Sequence, residues 1–214
     1  MKAMNSIGLN ALGFNKELSC NLYTQFICPK LEYDLAIIQY TKAQYEDVEK
    51  AQDTSQRIIY GASKNSSTKV MRHLARLPSM KERATILQAK FIYRAHFLPE
   101  DTLLATILPT IKNNPQIAWY KLQKNIIWQQ LPEPRPETTV TLFKKPIRTY
   151  HQNVLDTLLA TPIGTKTLAA CRPRVGKDPI LWLPMTRKDR SRCIRWRLGW
   201  LPGGTPKSLS LIHI

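Results

Sequence analysis

Residues 79–98 read Ser79-Met80-Lys81-Glu82-Arg83-Ala84-Thr85-Ile86-Leu87-Gln88-Ala89-Lys90-Phe91-Ile92-Tyr93-Arg94-Ala95-His96-Phe97-Leu98, and Pro99 follows. The opening Ser-x-x-Glu is a capping box, in which the serine oxygen and the glutamate carboxylate each take a backbone N–H that the first helical turn leaves unpaired. Met80, Ala84, Leu87, Phe91, Ala95 and Leu98 then recur at steps of three and four. That period is helical, not extended, so the segment predicts an amphipathic helix that stops before the proline.

The neighbouring segments share this character. Thr41-Lys42-Ala43-Gln44 is a second capping box, followed by Tyr45, Val48, Ala51, Ile58 and Ile59, with Gly61 placed to end the helix in a left-handed conformation. Ser66 or Ser67 caps a short helix carrying Val70, Leu74 and Leu77, ended by Pro78. Pro99-Glu100-Asp101 opens a further helix with acids in its first turn and Leu103, Leu104, Ile107 and Leu108 behind them. Residues 17–40 are apolar and broken by Pro29, which predicts two helices or one kinked helix. No useful strand alternation occurs, so the fold class is all-α: a helical bundle over 1–110.

Beyond residue 110 the texture changes. Residues 1–107 hold 14 basic and 10 acidic side chains; residues 108–214 hold 18 and 5, and 12 of the 15 prolines. Asn113-Asn114-Pro115 predicts a turn, and proline at every second position from Pro132 to Pro136 predicts an extended segment. The expected organisation is a Pro-rich linker over 111–137, then a basic, partly irregular extension over 138–204. Ile147, Tyr150, Val154 and Leu158 mark a helix there, closed before Pro162, and the prolines of 171–186 predict a meander.

The net charge is +17, with an isoelectric point near 10, which points to polyanionic partners, nucleic acid first. No apolar run of membrane-spanning length and no signal-type stretch occurs. Four cysteines, Cys20, Cys28, Cys171 and Cys193, make no disulfide framework or zinc spacing. The expected setting is intracellular, nuclear or cytoplasmic, with no membrane or small-molecule partner and no metal site or cofactor. Catalytic motifs are missing as well: no P-loop, dinucleotide fingerprint or nucleophile elbow is present, and no motif orients His73, His96 or His151.

Two basic strips are the candidate sites. Arg187, Lys188, Arg190, Arg192, Arg195 and Arg197 lie within eleven residues, with Trp196 and Trp200 available for stacking. Five of the six are arginine, the fork-shaped donor that suits phosphate. Arg83, Lys90 and Arg94 fall within roughly 40° of one another at about 100° per helical residue, which fits either a positive ridge along nucleic-acid backbone or side chains snorkelling around a core contact.

Ile27-Cys28-Pro29-Lys30-Leu31-Glu32-Tyr33 resembles the P-x-L-E-Y helix that follows the polymerase core of non-LTR (LINE-type) retrotransposon reverse transcriptases. Val48–Gln52, Arg57–Ala62, Ser67-Thr68, His73-Leu74, Leu77–Met80, Arg83 and Gln88–Phe91 fit the same family in the same order. Arg195–Gly204 is similar to the stretch that precedes its C-terminal zinc knuckle. The resemblance covers nearly the whole chain. It implies the thumb and linker of such an enzyme without the palm aspartates, the endonuclease or the knuckle. It therefore implies a non-catalytic fragment that grips template RNA, RNA–DNA hybrid or target DNA, with the palm domain as a further partner. The parent polymerase would use magnesium at carboxylates that this sequence lacks. Other readings are a helical protein-interaction module, a decayed reading frame and, with least support, an independent nuclease or transferase. Leu209-Ser210-Leu211-Ile212-His213-Ile214 resembles a translation of the transposase end used in DNA library preparation, so the tail 205–214 is set apart and these six residues are expected to be an artefact.

Overall fold

The computed structural model describes residues 4, 6–132, 140–161 and 166–200, and these form an all-α structure. After the N-terminal loop come α1 (Lys16–Leu22), a π-helical turn over Tyr23–Ile27 and α2 (Cys28–Leu31). Pro29 stands at the start of α2. A proline ring clashes with the carbonyl four residues back, and the widened turn ahead of it makes room without ending the helix.

The long helix α3 (Lys42–Tyr60) starts on Thr41 with both halves of the capping box in place. It ends at Gly61, whose φ is 66°; the Ala62 amide bonds back to the Arg57 carbonyl at 2.8 Å. Ser67, rather than Ser66, caps α4 (Thr68–Ala75). This helix stops before the expected Pro78, because Arg76 takes the left-handed conformation (φ 55°) and the Leu77 amide closes on the Arg72 carbonyl.

The quoted stretch forms α5 (Met80–Ala95), with its capping box complete. Its buried residues are Met80, Ala84, Ile86, Ala89, Ile92 and Ala95, whereas Leu87 and Phe91 are only half-buried. The single stripe expected from periodicity is therefore incomplete. The helix is covered along more than one side, and successive pairs along it enter three different clusters. Met80 and Ala84 belong to the main core, Ile86 and Ala89 pack with Ile127 and Phe143, and Ile92 and Ala95 pack with Trp119 and Leu122.

Thr102 caps α6 (Leu103–Ile111) and the first turn contains no acid, contrary to the expected start at Pro99. The threonine side chain reaches the Ala105 amide, while the Pro99 carbonyl is used in a preceding turn. The expected linker 111–137 holds α7 (Ala118–Gln123) and a 3-10 turn over Trp128–Gln130; its residues Trp119, Leu122 and Ile127 carry enough apolar surface to be buried on α5. Residues 133–136 lie outside the described residues.

After a 3-10 turn (Val140–Phe143), α8 (Lys144–Ala160) supplies Leu155 to the main core, and a short α9 (Lys166–Ala169) supplies Leu168. The stretch 171–186 is not free: the Asp178 amide donates to the Leu74 carbonyl, and Asp178 caps a 3-10 turn (Pro179–Leu181) that buries Ile180 and Leu181. Last is α10 (Arg187–Arg197), capped by Thr186, with Ile194 and Leu198 in the main core beside Leu74 and Ile59. The basic extension therefore shares one hydrophobic core with the N-terminal helices.

Candidate nucleic-acid interface

The helix α10 is where the densest charge becomes geometry. At about 100° per residue its side chains divide into two faces. Arg187, Arg190, Ile194 and Arg197 recur at steps of three, four and three, and Ile194 is buried. That face is turned toward the rest of the fold at Arg190, Ile194 and Arg197, while Arg187, at its N-terminal end, is exposed. Arg190 donates to the carbonyls of Ile180, Leu181 and Leu183, closing the 3-10 turn that precedes the helix. Arg197, only 8% exposed, donates to the Ala170 carbonyl and lies 5.1 Å from the Trp196 ring centroid. Arg187 donates to the Ala11 carbonyl at 3.0 Å, tying the helix to the N-terminal loop.

Lys188, Arg192 and Arg195 form the other face. They sit within roughly 60° of arc and all three are exposed. Arg192 has a loose ion pair with Asp189, 3.8 Å at the surface, which contributes little. Among the described residues no hydrogen bond or ion pair engages the Lys188 or Arg195 side chain. The six basic residues are thus two sets, one bound to backbone carbonyls and one facing outward. Helical phase separates them, with Ile194 as the marker of the inner face, and that signal is readable in the sequence. Trp196 is half-buried, and Trp200, also half-buried, packs against the main core.

The second strip divides as well. Arg83 makes a fork-to-fork ion pair with Glu32, Nε to Oε1 at 2.6 Å and a terminal nitrogen to Oε2 at 2.7 Å. Its guanidinium fastens α5 to the end of α2 and is not offered to phosphate. Lys90 is half-buried; burial pulls its pKa down, and the charges of Arg83 and Arg94 add to that. Arg94 is exposed. The ridge expected from the wheel therefore keeps only its C-terminal half.

A groove that sequence reading does not anticipate runs along α10. Its far wall is the loop 8–14, and its cavity volume is about 790 Å³. The loop is tightly built. The Asn10 side chain accepts from the amides of Leu12 and Gly13, and the Phe14 amide donates to the Gly8 carbonyl. A Cβ on Gly13 would sit 1.9 Å from that carbonyl oxygen, so only glycine allows the closure. Lys16 joins the loop to α3, with Nζ donating to the Ala11 and Ile59 carbonyls. Burial, then the Arg187 charge, brings Lys16 down to about 8.

No family model, curated protein or solved structure matches the chain. Among the described residues no three of His, Cys, Asp and Glu come together as a metal-binding group, so they do not fit the magnesium centre of the parent polymerase implied by resemblance. Two of the described histidines are engaged: His151 pairs with Glu82 at 3.0 Å, and His96 meets the Ile92 carbonyl and stacks on Trp128. Burial lowers the pKa of His73 and favours its neutral form. No described helix is long and apolar enough to cross a membrane.

Proposed function

We propose that this chain is a non-catalytic, nucleic-acid-backbone-binding part of a retrotransposon reverse transcriptase, holding template RNA, RNA–DNA hybrid or target DNA. The observation that carries this is the outer face of α10. Lys188, Arg192 and Arg195 stand exposed on one side of a helix whose inner arginines are already occupied by carbonyls. Cations held at helical spacing suit a row of phosphates, and a net charge of +17 draws a polyanion from solution. The family motifs, from Pro29-Lys30-Leu31-Glu32-Tyr33 to Arg195-Trp196-Arg197, support the parent assignment by resemblance.

The test is a salt titration on duplex nucleic acid. Log K should fall with log salt by about 0.9 per phosphate contacted, and replacing Lys188, Arg192 and Arg195 together with alanine should flatten the slope by about 2.7. An unchanged affinity and slope in a folded triple variant would overturn the assignment.

A second reading rests on a separate patch. Phe26, Tyr33, Ile37 and Ile38 are exposed around the end of the α1–α2 segment, with Tyr33 at 91%. Such a surface suits docking on another protein, and the palm domain is the partner that the resemblance supplies. Size-exclusion chromatography separates the readings: a monomer that binds RNA favours the first, and self-association without RNA binding favours the second.

A further inference from the structure

The groove between α10 and the loop 8–14 has two unlike walls. One is cationic: Lys188, Arg192 and Arg195 line it with their side chains unclaimed by backbone carbonyls, beside the carbonyl-bound Arg187 and Arg190. The other is apolar: Leu12 is 82% exposed and Phe14 44%, and the Phe14 ring rests against Gly8, within 3.3 Å of where a Cβ there would sit. The walls are joined by the Arg187 bond to Ala11, and Lys16 anchors the loop wall to α3, so the groove is formed before any ligand arrives. Its volume of about 790 Å³ lies within the range of ligand clefts, roughly 300–1,000 Å³.

Backbone binding alone does not require the second wall. A duplex presents phosphates outward and keeps its bases stacked inside. A single strand offers an anionic backbone beside apolar base faces, which is the pairing that these two walls complement. The geometry points to a single-strand subsite: unpaired bases pack on Phe14 and Leu12 while the adjoining phosphates lie on Lys188, Arg192 and Arg195. This rests on the nucleic-acid reading above and adds a preference for single strands. An exposed apolar ring fixed by a tight loop loses little freedom on binding, which favours affinity. Base recognition here is by π-face, so little sequence preference is expected.

The experiment is fluorescence anisotropy on the full chain. The probes are a labelled oligothymidylate, a duplex of equal length and an abasic oligonucleotide, all at one ionic strength. The single strand should bind most tightly. Phe14→Ala should weaken that binding about tenfold, the scale of one lost base–aromatic contact, with the salt slope and duplex affinity unchanged. Phe14→Leu, which keeps an apolar side chain against Gly8, should fold normally and lose most of the same increment. The abasic strand should bind wild type no better than the oligothymidylate binds Phe14→Ala.

Equal affinity for single strand and duplex, with no effect of either Phe14 variant, overturns the subsite. If the triple alanine variant of α10 still flattens the slope, the backbone reading survives that result; if no probe binds in a salt-dependent way, both fail. Tighter binding to anionic phospholipid vesicles than to any oligonucleotide also overturns the proposal.

Discussion

Arg190 and Lys188 are two residues apart, carry the same charge and do different work. Arg190 spends its guanidinium on the carbonyls of Ile180, Leu181 and Leu183, groups at the end of a 3-10 turn that have no helical partner. Charge-assisted bonds of this kind are worth more than neutral ones, and losing them leaves the part-buried Ile180 and Leu181 carbonyls without that partner. Arg190→Ala should therefore cost roughly 2–4 kcal/mol in denaturant unfolding, whereas Lys188→Ala should change stability by under about 0.5 kcal/mol. Nucleic-acid affinity should respond in the opposite order once each variant is confirmed folded. The same distinction applies to Arg83, whose forked bond to Glu32 makes it a fastening between helices.

At the scale of elements, Gly61 joins two parts of the molecule. Its φ of 66° ends α3, and a Cβ there would lie 2.5 Å from the Ala11 Cβ. Gly61→Ala should cost about 2 kcal/mol or more, since left-handed backbone alone costs roughly 1–2 kcal/mol and the loop must also shift. Chemical denaturation measures the loss, and quenching of a reporter on the loop should show the movement of the groove wall. The start of α5 has a pH signature. Burial pushes the Glu82 carboxyl up, but hydrogen bonds from His151, the Ser79 hydroxyl and the Ser79 amide hold it below its usual 4.5. A depressed carboxyl stabilises the fold above the unfolded value, and that contribution is lost as pH falls through the folded one. The stability gap between wild type and Glu82→Gln should close as pH falls below about 4.5, as followed by urea midpoints at stepped pH.

For the whole molecule, the shared core is the governing fact. Leu155, Leu168, Ile180, Leu181, Ile194 and Leu198 from the basic half pack in one cluster with Ile59, Val70 and Leu74. Two halves that bury the same surface should not unfold separately. All five tryptophans lie beyond residue 118, so their fluorescence reports the second half while far-ultraviolet circular dichroism reports helices throughout. The two signals should give one coincident transition. Two separated transitions would show that the halves are independent. Charge is distributed differently from the core: 13 of the 17 net charges lie beyond residue 107, yet part of that excess is spent inside on carbonyls and only part faces outward.

The all-α class and the caps at Thr41, Ser79 and Gly61 were decided by local sequence, because a cap is a bond between residues three or four apart and needs no distant partner. Patterns of hydropathy were less informative wherever helices are covered on several sides. In α3 the polar Gln52, Ser55 and Gln56 are buried while Tyr45 and Val48 are only half-buried; Gln52 is held by the Pro78 carbonyl, and period alone does not show that partner. The candidate site belongs to tertiary structure still more fully. Sequence places six cations in a row on one helix. Helical phase sorts them into two sets, but only contacts across more than 170 residues, such as Arg187 to Ala11, set an apolar loop opposite the outer set. Helical phase is intrinsic to the chain, but the direction of each face is set only when the core closes around Ile194 and Leu198.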